Sequence, residues 1–338
     1  MTSSSDHWKI FRGGDGSAPA TLPAGPPWRR FGPARPPRAP YIVRDRHADI
    51  VNTALHLRRP LLVTGYPGVG KSSLAHAIAL DLGLGEVLRW QVNSHSTLTE
   101  ALYRYDAVGR LRDATTLGGA SRDELPVQDY ITLGPLGTAL AAHPGRPRVL
   151  LIDELDKGDI DLPNDLLTVF EDGAFEIPEL RRAGTDSGSA VLDVRVMTPT
   201  PFRPATDPAA IEAEEHQTVV EGWVYCEEFP IVVITSNGER EFPPAFLRRC
   251  VRLFLDDPDE EHLKAIVASQ FGPALTDLEP EAASDIADLI SGFNQADGVG
   301  RRATDQLLNA IYLRLSNVPL DAEILRAVLR PLGDTDPL

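Results

Sequence analysis

One octapeptide constrains this chain more than any other feature: Gly65-Tyr66-Pro67-Gly68-Val69-Gly70-Lys71-Ser72, set between two apolar patterns of different period. The run before it, Pro60-Leu-Leu-Val-Thr64, suits a buried parallel strand. The segment after it puts Leu74, Ile78 and Leu82 at i, i+4 and i+8, a helix face that Gly83 closes. A glycine-rich turn between such a strand and helix lets backbone N–H groups converge, and the helix N-terminus adds a favourable dipole. Together they make a cradle for phosphate. In that context G-x4-G-K-S reads as a phosphate-binding loop. The chain has only four lysines, and Lys71 stands where one is needed to neutralise the β- and γ-phosphates. The Ser72 hydroxyl is then a candidate Mg²⁺ ligand. The nucleotide-binding candidates are Gly65, Pro67, Gly68, Val69, Gly70, Lys71, Ser72 and Ser73.

Residues 86–92 read as another strand, and a further apolar run, Arg148-Val-Leu-Leu-Ile152, ends in Asp153 and Glu154. A strand of this kind delivers its terminal side chains to the sheet edge where ligands bind. Asp153 is the candidate Mg²⁺ acid, acting through water, and Glu154 the group that polarises the attacking water. Phosphoryl transfer relies on positioning and charge neutralisation, which suits two carboxylates with different tasks. A third run, 229–235, leads into Ser236 and Asn237, whose amide is a candidate to contact the γ-phosphate or that water. Arg248 and Arg249 follow a short apolar helix pattern and Arg301 and Arg302 open a later one. Either pair reads as solvated surface charge or as guanidinium groups that stabilise transition-state charge.

Buried strands alternating with helices predict an α/β fold: a parallel sheet covered by helices on both faces. After Pro258 only helical spacing remains, which predicts a small all-helical domain. The expected organisation is a proline-rich arm over 1–40, an α/β nucleotide-binding core over 41–255 and a helical lid over 256–338. Neither 104–134 nor 179–222 shows a clean period, and both read as loops. Residues 13–40 contain eight prolines with Trp28 and Phe31 among them. That composition reads as a disordered leader, or as an arm whose aromatics dock on a partner or neighbouring subunit.

Charge narrows the function. The chain of 338 residues has 33 Lys plus Arg against 49 Asp plus Glu, a net of −16. The arm carries +4, while core and helical domain carry −10 each. An acidic body argues against nucleic acid as the partner, because phosphate contacts need basic surface. A basic arm with Arg29, Arg30, Arg35 and Arg38 is the one feature in favour. Cys226 and Cys250 are too few for a disulfide framework or a cysteine metal site. The eight histidines show no metal-site spacing. No run is long enough to span a membrane, and the first residues lack a secretory apolar core, so a cytoplasmic protein is expected.

Taken in order, GYPGVGKS (65–72), LLIDELDK (150–157), ITSNGER (234–240), PPAFLRRC (243–250) and GVGRRAT (298–304) resemble the motifs of an AAA+ ATPase. The resemblance covers about 41–331 and is nearest to the MoxR-like group, more distantly to McrB-type and dynein-type modules. Ile131-Thr-Leu-Gly-Pro-Leu136 is similar to a Gly-Pro segment of MoxR-like proteins. The resemblance implies Mg²⁺-dependent ATP hydrolysis, with Asn237 as first sensor, Arg249 as arginine finger and Arg302 as second sensor. Arg248 and Arg301 stay open as alternatives, since Arg301 replaces the family's usual proline. It further implies inserts near 104–134 and 176–228, and a homo-oligomeric ring, usually a hexamer, that remodels, loads or activates a protein partner. A protein with a von Willebrand factor A domain is one such partner, and bacterial conflict systems are one setting. A slow nucleotide-gated assembly switch, and use of GTP or nucleic acid, are the alternative readings.

Overall fold

The computed structural model describes residues 8–11, 21–30, 39–116, 125–142, 145–187, 191–195, 216–276, 278–293 and 301–330. Phe31, Arg35, Arg38, residues 196–215 of the second insert and Gly298 lie outside them. The chain divides into two compact units, 43–65 with 71–255, and 1–42 with 66–70 and 256–338.

The strands of the first unit are β1 (Leu61–Gly65), β2 (Leu88–Gln91), β3 (Tyr103–Tyr105), β4 (Ile131–Leu133), β5 (Val149–Asp153), β6 (Ala174–Glu176), β7 (Val191–Arg195), β8 (His216–Val220), β9 (Trp223–Tyr225), β10 (Ile231–Ser236) and β11 (Val251–Leu255). Five of them form a parallel sheet in the order β11-β1-β10-β5-β2. The helices Asp45–Leu57, Lys71–Asp81 and Pro135–Leu140 pack against it. Every residue of β5 and β10 is buried, which explains why both read as unbroken apolar runs rather than alternating ones. Strand β11 is an addition to the expected set. Its sequence, Val-Arg-Leu-Phe-Leu, alternates because it is the sheet edge: Leu253 and Leu255 are buried while Arg252 and Phe254 are exposed. The helix face behind the phosphate loop also needs correcting. Leu74, Ala75, Ile78 and Ala79 are buried, but the helix ends at Asp81 and Leu82 is 48% exposed. Gly83 does close the turn, with φ of 63° and its N–H donating to the Leu80 carbonyl.

Residues 104–134 and 179–222 are not simply loops. Strands from both stretches meet in a second, six-stranded sheet, ordered β3-β4-β7-β8-β9-β6. Its inner residues Ile131, Leu133, Phe175, Val194, Val219 and Val224 share one apolar cluster with Leu150 and Ile152 of β5. The described strands of the inserts are therefore folded onto the parallel sheet. Tyr103, Tyr105 and Tyr130 are tied inside this unit by hydrogen bonds. The Tyr103 hydroxyl donates to Glu179 Oε2 at 3.0 Å, Tyr130 to Asp113 Oδ2 at 2.9 Å, and Arg110 donates to the Tyr105 oxygen at 3.3 Å. Burial and the Glu179 bond push Tyr103 up to about 12.

The second unit is built on the helices Glu260–Thr276, Pro280–Phe293, Thr304–Leu315 and Ala322–Val328. Leu263, Val267, Phe271, Ile286, Ile290, Leu307 and Ile311 form its core. The arm packs one residue against this core. Pro27–Arg29 is a 3-10 turn, and Trp28 packs edge-on against Phe271 and Tyr312 with centroids 5.9 and 5.8 Å away. Its indole N–H donates to Asn309 Oδ1 at 3.2 Å, and the Tyr312 hydroxyl donates to the Ala24 carbonyl at 2.8 Å. Trp28 thus docks on its own chain. This replaces the expectation that it serves a partner, because the half-buried indole finds both apolar surface and a hydrogen-bond acceptor here.

Candidate active site

The loop between β1 and the helix Lys71–Asp81 turns through Gly68 and Gly70, whose φ angles of 80° and 94° suit glycine alone. At Gly68 space is also decisive: a Cβ there would stand 2.3 Å from the Cβ of Ala303. Lys71 opens the helix and is only 7% exposed. Its Nζ donates to the Gly65 carbonyl at 2.7 Å. Burial pulls the ammonium pKa below its ordinary value, and the nearby charges of Asp156, Glu154 and Asp153 oppose that shift. A desolvated, carboxylate-flanked ammonium is suited to receive phosphate charge.

Asp153 ends β5, where the register pairs Ile152 with Ile234 and so brings the tips of β5 and β10 together. Its carboxylate is 3% exposed on a residue basis and fully engaged. Oδ1 accepts from Ser72 Oγ at 2.6 Å and from Thr235 Oγ1 at 2.8 Å. Oδ2 accepts from Arg89 Nε at 3.1 Å and from Arg89 Nη2. Burial alone would raise this carboxyl. The bonds from Ser72, Thr235 and Arg89, with the Arg89 charge, overcome it and hold the pKa below the usual carboxylate range. Ser72 and Asp153 thus pair a hydroxyl with a carboxylate oxygen, a hard donor set of the kind Mg²⁺ uses together with phosphates and water. Among the described residues no cluster of three or more His, Cys, Asp or Glu is arranged to hold a metal alone.

Glu154 follows with φ of 61°, a left-handed conformation costing a non-glycine residue on the order of 1 kcal/mol. Its N–H donates to Thr235 Oγ1 at 2.8 Å, so one buried hydroxyl bridges both acids. The Glu154 carboxylate accepts from Gln91 Nε2 at 2.9 Å and from Asn237 Nδ2 at 3.4 Å, and pairs with Lys157 at 3.0 Å. Asp156, itself 3% exposed, anchors the Asn237 turn. Its Oδ2 accepts from the backbone N–H of Asn237 at 2.9 Å and of Glu239 at 3.1 Å. The structure therefore brings together Lys71, Ser72, Asp153, Glu154 and Asn237. Ser73 is exposed one residue further on, and the bonds of the acid cluster do not reach it. Arg89, Gln91, Asp156 and Thr235 belong to the cluster and were not singled out by sequence motifs. Arg89 and Gln91 stand two residues apart on β2, and it is the pairing of β2 with β5 that brings them to the acids.

The arginines are held differently. Arg249 ends the helix Pro244–Arg249, pairs through Nε with Glu171 and donates from Nη1 to the Ala245 carbonyl at 3.2 Å. Arg248 is exposed. Arg301 and Arg302 precede the helix Thr304–Leu315 rather than opening it. The Arg301 guanidinium stacks on the Tyr66 ring, 3.4 Å from its centroid, and faces Asp257 at 3.5 Å. Arg302 Nε is buried and has no hydrogen-bond partner among the described residues.

With this geometry in view, residues 60–198 match the family model described as an AAA domain of the dynein-related subfamily. That stretch holds the phosphate loop and both terminal acids of β5, and it supports an AAA+ ATPase on a P-loop α/β core. Asn237, Arg249 and Arg302 lie beyond the matched residues. No curated protein matches the chain significantly. Among the described residues no helix is long and apolar enough to cross a membrane.

Proposed function

We propose that this chain hydrolyses ATP with Mg²⁺ as an AAA+ ring ATPase of the MoxR-like kind and uses the cycle to remodel, load or activate a protein partner. The observation that carries the reading is the Ser72–Asp153–Thr235–Glu154 linkage behind a glycine-rich loop with a buried lysine. In this reading Lys71 receives the β- and γ-phosphates, while Ser72 and Asp153 hold Mg²⁺, Asp153 through water. The ion supplies charge neutralisation at the phosphates. Glu154 takes the proton of the attacking water, and Asn237, 3.4 Å from Glu154, orients that water. Arg249 is the finger offered to a neighbouring subunit and Arg302 the second sensor. A hexamer in the cytoplasm, and a von Willebrand factor A domain protein as partner, complete the proposal.

A second reading, a slow assembly switch, has one specific support. The Glu154 carboxylate is already engaged by Gln91, Asn237 and Lys157, so it must be released before it can act as a base. Phosphate release from ATP and from GTP, with magnesium and with chelator, tests both readings. Magnesium-dependent release stimulated by a partner favours the motor, and slow, partner-independent single turnovers favour the switch. No release from either nucleotide sinks the hydrolase.

A further inference from the structure

We propose that Arg89 is the resident counter-cation of Asp153, which a divalent cation arriving with nucleotide has to displace. Arg89 thereby sets how strongly nucleotide binding depends on metal. The inference rests on the nucleotide reading above and adds a positioning residue to it.

Four donors occupy the Asp153 carboxylate, two on each oxygen: Ser72 Oγ and Thr235 Oγ1 on Oδ1, Arg89 Nε and Nη2 on Oδ2. That uses the accepting capacity of the group. A divalent cation, or a water bound to it, needs one of those positions. The donors are not equal in their freedom to leave. Thr235 is buried, and Ser72 is fixed in the first turn of its helix. The Arg89 side chain is 56% exposed and can swing into water at little desolvation cost.

Charge points the same way. Without a cation, a carboxylate this buried is destabilising unless something positive compensates it, and Arg89 is the cation that contacts it. Once a divalent cation arrives, two positive groups compete for one carboxylate at close range. The guanidinium, attached through an exposed chain, is the one that gives way. Arg89 has a further contact, from Nη2 to Gln91 Oε1, and the Gln91 amide in turn holds Glu154. Release of Arg89 therefore also frees the group that restrains the second acid.

The test measures ADP affinity of the full chain by titration calorimetry, in excess chelator and in saturating magnesium, for the natural chain, Arg89→Gln and Arg89→Lys. Manganese binding in the presence of ADP, read by electron paramagnetic resonance, reports the metal directly. For Arg89→Gln, the gain from magnesium, taken as the ratio of the two affinities, is expected to rise about tenfold, the factor that corresponds to one hydrogen bond to a charged group. The manganese midpoint falls by a similar factor. Arg89→Lys keeps the charge but loses the two-pronged contact, so it shifts in the same direction by less, and it covers the case in which Arg89→Gln does not fold. A metal gain that is unchanged or smaller overturns the proposal. So do affinities that move together in both conditions, the signature of a merely structural residue. A natural chain that binds no ADP in either condition overturns the nucleotide reading as well. Normal ADP binding with a metal gain indifferent to Arg89 overturns this inference alone.

Discussion

The acids at the strand tips and the arginines at the helix ends are held by opposite means. Asp153, Glu154 and Asp156 leave a buried parallel sheet whose register is fixed over several residues, and the Thr235 hydroxyl cross-links the first two. Arg249 and Arg301 sit on helix termini or the segments beside them, each held by an ion pair with an exposed partner. Buried networks are rigid and costly to break, whereas exposed pairs are worth about 0–1 kcal/mol and exchange easily. The difference teaches a division in how the groups are held: the acids are fixed by a buried network, whereas Arg249 and Arg301 rest in ion pairs that exchange at little cost.

Substitutions can break or sharpen that contrast. The largest effect is expected at Lys71, where Lys71→Ala should weaken ATP binding by at least roughly a hundredfold in calorimetry, as losing a buried ionic contact to phosphate implies. Retained affinity would remove the phosphate loop from the account. Thr235→Val keeps the shape but deletes the bridging hydroxyl. It should lower stability by about 1–3 kcal/mol in denaturant unfolding and depress hydrolysis at least about tenfold. A neutral Thr235→Val would mean the bridge does not organise the acids. Trp28→Ala removes the arm's anchor and should destabilise the helical unit by about 3 kcal/mol, without altering the magnesium dependence of binding. Unchanged protease resistance of the 256–330 region would refute the docking. Arg249→Ala should move the melting temperature little, since its Glu171 pair is half-exposed, yet reduce hydrolysis in the assembled protein. If it instead unfolds the chain, Arg249 is structural and the contrast between acids and arginines collapses.

Acid should reach the buried side of the contrast through Asp153. Because the Asp153 pKa is depressed in the fold, its stabilisation is complete above the unfolded carboxylate range near about pH 4. It is lost as pH falls through the lower folded value. Arg89→Gln should therefore shift the acid unfolding midpoint upward, which a pH titration of circular dichroism reads.

Much of this arrangement was legible in the sequence, and the reason lies in burial. β1, β5 and β10 are covered on both faces, so their apolar runs are continuous and their terminal motifs sit beside them. Strand β11 escaped notice because its five residues follow closely on the helix Pro244–Arg249, with no turn signal to set them apart. The second sheet escaped because β7 pairs β8 across the twenty residues 196–215, and several of its strands are three residues long. The same limit applied within the site. Asp153 and Glu154 belong to a contiguous motif, but Arg89 and Gln91 matter only because β2 lies next to β5, with Gln91 opposite Asp153. Strand adjacency is a property of the sheet, and no local spacing carries it. Asp156 stood in plain view inside LLIDELDK, yet its task depends on the Asn237 turn eighty-one residues away.

The most direct test of the account is the separation of binding from hydrolysis at Glu154. ATP affinity and steady-state phosphate release are measured on Glu154→Gln and the natural chain, prepared side by side with magnesium. The account predicts ATP affinity within a few-fold of the natural chain and phosphate release reduced by at least about a hundredfold, the scale of a lost general base. Phosphate release that persists at the natural rate while ATP remains bound would contradict it.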